Sequence, residues 1–83
     1  MTEPADIEVI GLLARRNGIP TVVTLNTGSQ YTVHNIAWGY DVGDEYAHVT
    51  TNISPRIEGA SIDLFFTSDI QSITDLVSGE TLL

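Results

Sequence analysis

VVTLNTGSQYTVHNIAWGYD, residues 22–41, decides the fold. It opens as a β-branched strand with Val23 and Leu25 on one face, turns at Asn26-Thr27-Gly28, and then continues from Ser29 to Tyr40 without a breaker. Gly28 supplies the positive φ of a tight hairpin. Beyond the turn the apolar positions are first odd, Tyr31 and Val33, and then even, Ile36, Trp38 and Tyr40. A strand alternates faces at every residue, so the inward set changes parity near His34-Asn35. Either a bulge sits there, or the strand bends so sharply that its first half serves one sheet and its second half another. Both describe a strand wrapping round a small barrel, with Trp38 filling the barrel core.

Upstream, Thr2 caps a helix over residues 3–17 whose first turn holds Glu3, Pro4 and Asp6. Ile7, Ile10, Leu13 and Ala14 recur at helical spacing, and Gly18 closes the helix. Arg15 and Arg16 fall in its last turn, where cations favour the dipole. Strands follow over 20–26 and 29–40, and Asp41 to Asp44 form a turn with Gly43 left-handed. A third strand, 45–53, puts Ala47, Val49, Thr51 and Ile53 on one face and Tyr46, His48, Thr50 and Asn52 on a wetter one. SPRIEGA, 54–60, is the longest loop. A fourth strand, 61–67, buries Ile62, Leu64 and Phe66 and leaves Asp63, Phe65 and Thr67 outside. The fifth covers 70–74, and Val77 to Glu80 fold the tail back so that 81–83 add a last short strand. The predicted fold is all-β with an N-terminal helix: one domain over 1–83, a small five-stranded, strongly bent barrel.

A chain of 83 residues buries only about 60% of its unfolded surface and is marginal alone. With no cysteine and no cluster of metal-ligand spacing, oligomerisation is the expected source of extra stability. Only 17% of residues are charged against 42% hydrophobic, which points to a surface partly covered by a neighbour. Eleven acids face three arginines and no lysine, for a net charge of −8. The average field repels a polyanion, so any nucleic-acid role rests on local geometry. No run approaches the ~18 consecutive apolar residues of a membrane span, and MTEPADIE is acidic where a signal peptide is basic. A soluble, cytoplasmic chain is expected.

Catalysis finds little support. His34 and His48 can approach across paired strands, but no third ligand or dry, convergent setting accompanies them. Asp41, Asp44 and Glu45 lack the spacing of a calcium loop, and there is no glycine-rich phosphate loop. No enzyme activity, cofactor or metal is predicted.

Three stretches carry a likeness. Leu25 to Gly28 (LNTG) is similar to a hydrophobic-x-x-Gly turn between first and second strands. Trp38 to Asp41 (WGYD) is similar to a Gly-aromatic-Asp ending of a second strand. Thr67 to Ile73 (TSDIQSI) keeps the isoleucines of an Arg-Gly-x-x-Ile turn, with Thr67 and Ser68 in place of Arg and Gly. With the order of elements over residues 3–74, the chain resembles the Sm and Sm-like (LSm) family of SH3-like barrels. The resemblance implies a homo-oligomeric ring in which the fourth strand of one subunit pairs with the fifth of the next, taking up free edges. Phe65, Leu82 and Leu83 are the candidate interface residues. It also implies single-stranded RNA at the inner rim, in RNA processing, with Tyr40, Asp41, Asp44 and Tyr46 on one side and Thr67, Ser68 and Asp69 on the other. Arg15 and Arg16 on the helix-bearing face are the basic help. The alternative is a protein–protein assembly module, a viral or cellular adaptor that never touches nucleic acid.

Overall fold

The computed structural model describes residues 6–83, and Thr2, Glu3 and Pro4 of the expected helix start lie outside them. The chain is mostly β with one N-terminal helix. In order it forms α1 (Asp6–Arg15), β1 (Thr21–Leu25), β2 (Gln30–Val33), β3 (Ile36–Gly39), β4 (His48–Thr51), β5 (Leu64–Phe66), a 3₁₀ turn (Thr67–Asp69) and β6 (Ile70–Asp75). The strands make two antiparallel three-stranded sheets, β2-β1-β6 and β3-β4-β5. Among the described residues, no helix is long and apolar enough to cross a membrane.

The expected second strand is therefore two, β2 in one sheet and β3 in the other, and the count rises from five to six. His34 and Asn35 carry the chain across. The inward set switches there as the parity demanded: Val33 is buried, and Ile36 packs on the same core. Leaving one ladder strands the backbone groups at its end, which need new partners. Asn52 provides them. Its Oδ1 accepts from the His34 amide at 2.8 Å, and its Nδ2 donates to Thr32 O at 3.1 Å and Ser61 O at 2.8 Å. Asn52 is itself 0% exposed and holds φ at 62°, a left-handed backbone that asparagine tolerates better than most residues. Asn35 completes the junction by donating to Pro55 O and accepting from the Ser54 amide. No ladder joins the two sheets among the described strands, so the barrel is not closed.

Val9 and Leu13 of α1 meet Val23, Val33, Val49, Phe65, Ile70 and Ile73 in one apolar cluster. Full burial of each aliphatic chain contributes about 1.5–3 kcal/mol. Tyr31 stacks on Phe65, ring centroids 6.1 Å apart and planes 13° from parallel. A register shift between Thr24 and Leu25 in the β1–β6 ladder lets both Ile70 and Ile73 face inward despite their odd spacing. Gly28 and Gly43 take φ of +91° and +87° in the turns where the sequence requires them.

The fourth expected strand is wrong in parity. Phe65 lies opposite the buried Val49 and is 4% exposed, whereas Ile62, Leu64 and Phe66 are 50%, 68% and 40% exposed. Residues 61–63 lie beside β4 outside the strand: the Thr51 amide donates to Asp63 O at 2.9 Å, Thr51 Oγ1 accepts from the Asp63 amide, and Asn52 holds Ser61 O. The tail folds back on β6, but by an isolated bridge and a few backbone bonds rather than as the expected short strand over 81–83. Thr81 bridges Thr74, the Ile73 amide donates to Leu83 O and the Asp75 amide to Glu80 O, so residues 80–83 lie along the outer edge of β6.

Candidate functional site

Asp6, at the start of α1, gathers the two turns that the family likeness brings together. Its Oδ1 accepts from the Ala47 amide at 3.1 Å and from the Thr67 hydroxyl, and its Oδ2 accepts from the Tyr40 hydroxyl. Burial pushes the Asp6 carboxyl up, but the hydrogen bonds from Thr67, Tyr40 and Ala47 together outweigh it and hold the group below its ordinary value. The bond to Asp6 in turn raises the Tyr40 phenol. Tyr40 and Thr67 therefore do converge, on a carboxylate of their own chain, and the hydroxyl of each is already used. Thr67 is buried.

The other candidates are mostly turn residues. Asp44 accepts from the Asp41 amide, Asp69 accepts from the Phe66 amide, and Ser68 O accepts from the Asn26 side chain. Tyr46 is half-buried. The arginines are largely committed. Arg16 reaches Asp75 Oδ2 at 2.5 Å and Thr21 Oγ1 at 2.7 Å. Amides led by Ser78, with the Arg16 guanidinium next, pull the Asp75 carboxyl down to about 2. Arg56 is held by the carbonyls of Ile57 and Ala60. Arg15 is exposed at the end of α1. Leu82 and Leu83 pack partly buried on the core of their own chain, and Phe65 is inside it. The outward apolar pair on β5 is instead Leu64 and Phe66.

Trp38 does not fill the core. It lies opposite Val49 and so shares the inward face of its sheet, yet it is 51% exposed. Between helix and strand an open groove of about 640 Å³ remains, walled by Ile7, Ile10, Gly11, Trp38 and Tyr40, with Asp6 and Glu45 at its polar margin. The Trp38 and Tyr40 rings stand perpendicular, 89° between planes and 6.2 Å between centroids. Such a corner offers one aromatic face and one aromatic edge to a guest.

One convergence of metal-ligand types occurs among the described residues. Asp41, Asp44 and His48 bring one donor atom each to within 4.8 Å of one another, and the buried His48 Nδ1 has no hydrogen-bond partner. Asp41 Oδ2 is 3.8 Å from that nitrogen. Three such donors suit a weakly held divalent cation. The sequence places His48 on the wetter face of its strand with no third ligand beside it, and nothing in the spacing of Asp41 and Asp44 shows that their carboxylates fold back on β4.

The Asp6 hub, the open groove and the Asn52 junction escaped sequence reading. Asp6 looked like a helix-start acid, Trp38 like a core aromatic, and Asn52 like one polar residue on a wet strand face. No family model, no curated protein and no solved structure matches this chain.

Proposed function

We propose that this chain is an Sm-like small-barrel module that assembles with copies of itself and contacts protein rather than nucleic acid. The observation that carries it is the β5 edge, which pairs with β4 alone among the described strands and presents Leu64 and Phe66 outward. An unpaired apolar edge without a lysine to blunt it invites another strand. Support for the Sm-like reading is the strand order. Counting β2 and β3 as one bent strand, the two sheets join as β6-β1-β2/β3-β4-β5, with the helix at one end. The family-type ring, β5 of one copy on β6 of the next, requires residues 80–83 to leave the β6 edge they cover.

Charge argues against RNA at the rim. The candidate rim is acidic, its Tyr40 and Thr67 hydroxyls are occupied, and two of three arginines are tied to their own chain. A second reading, single-stranded RNA, is favoured by the exposed Trp38–Tyr40 pair, since base–aromatic stacking is worth about 1–3 kcal/mol per base. Sedimentation and a titration of labelled oligouridine at two salt concentrations decide between them. Protein assembly predicts a mass above 9.0 kDa, reduced to the monomer by Leu64→Glu, with no oligouridine bound at low salt. Oligouridine binding that Trp38→Ala weakens establishes the RNA reading instead.

A further inference from the structure

The groove between α1 and β3 has the makings of a specific site, and we propose that it receives a protein segment presenting a single basic side chain beside aliphatic ones. This rests on the reading of the chain as a protein-binding module and names the chemistry of its partner. Three features combine. The groove's volume, about 640 Å³, lies within the roughly 300–1,000 Å³ of ligand sites. It is open to solvent, which lets side chains of a passing segment enter. Its walls are aliphatic and aromatic, and the tryptophan face is the best of the aromatic acceptors for a cation.

Charge selects the occupant. Asp6 stays ionised through its hydrogen bonds, and Glu45 makes no ion pair among the described residues. Both stand beside the aromatic corner, inside a protein of net charge −8. Phosphate and carboxylate ligands are repelled there, and a guanidinium or ammonium is drawn in. Arg15 limits how many cations fit. A β-carbon at Gly11 would sit 3.3 Å from Arg15 Nη1, so a guanidinium guards the stretch of groove one helical turn beyond Ile7. A run of basic residues meets that charge, whereas one basic residue followed by leucines places its cation over Trp38 and its aliphatic chains against Ile7 and Ile10.

Trp38 is the sole tryptophan of the chain, so its fluorescence reports the groove directly. The probe is acetyl-Arg-Leu-Leu-amide, with the Gln and Glu analogues of its first residue as controls, titrated into the full chain and into the Leu64→Glu variant. The arginine peptide is expected to change the emission saturably and the glutamate peptide not at all. Tyr40→Leu weakens the arginine peptide about fivefold while Tyr40→Phe, which keeps the ring, binds like the parent. Glu45→Gln weakens it about twofold to fivefold, less so in high salt. Equal binding of all three peptides, no effect of either Tyr40→Leu or Glu45→Gln, or displacement by oligouridine overturns the proposal. Binding that persists in Leu64→Glu separates the groove from self-assembly, so failure of one does not pass for failure of the other.

Discussion

Replacing Asn52 by alanine removes the partner of three backbone groups at the point where the chain changes sheets: the His34 amide and the carbonyls of Thr32 and Ser61. Each buried group left unpaired costs about 1–3 kcal/mol. Ser61 O keeps the Thr51 hydroxyl at 3.5 Å, and Thr32 and Ser61 are themselves exposed residues, so the low end applies, about 3 kcal/mol in all. A left-handed backbone at φ 62° adds roughly 1 kcal/mol for alanine. The sum, about 4 kcal/mol, is a large share of the ~5–15 kcal/mol that holds a domain together. Asn52→Gly loses the same bonds without the backbone term and so falls about 1 kcal/mol short of the alanine loss. Urea unfolding followed by far-ultraviolet circular dichroism, at one fixed protein concentration, measures both. An alanine variant within about 1 kcal/mol of the parent refutes the assignment of the junction to Asn52.

Phe65→Ala should destabilise by about 3–5 kcal/mol through the cavity it leaves beside Val49 and Tyr31, whereas Phe66→Ala, on the exposed face, should stay within about 0.5 kcal/mol when measured on monomer. Thermal unfolding distinguishes them, and the reverse order restores the opposite parity for β5. The Asp75 carboxyl, lowered from 3.8 to about 2, contributes stability that is full above pH 3.8 and is lost as pH falls through that window toward 2. Asp75→Asn should flatten the acid limb of a pH–stability curve, and an unchanged limb contradicts a carboxyl held down by the Ser78 amide and Arg16. Deleting residues 80–83 bares the outer edge of β6 opposite the free edge of β5. Sedimentation should then show larger assemblies than the parent, and a smaller species argues that the tail itself mediates contact.

Much of the fold is legible because its signals are local. The apolar parity of Tyr31, Val33, Ile36 and Trp38 reports the change of sheet without any partner strand, and Gly28 and Gly43 mark their turns by backbone freedom alone. β5 fails for the complementary reason. Ile62, Asp63, Leu64, Phe65 and Phe66 hold apolar residues on both parities, and the register with Val49 chooses between them. Trp38 shows the same limit from the other side: its parity was right, but how far an inward-facing residue is covered depends on packing between elements, which parity does not report. The candidate rim was half legible. The turns bearing Tyr40 and Thr67 do meet, and a carboxylate distant in sequence, Asp6, occupies the meeting point.

The passage of the chain from one sheet to the other at His34-Asn35 supports everything else, and cross-strand nuclear Overhauser contacts test it most directly. Tyr31 should contact Val23, and Trp38 should contact Val49, with the His34 amide bonded to a side-chain oxygen rather than to a strand neighbour. A single ladder running unbroken from residue 30 to residue 39 against one partner strand would contradict it.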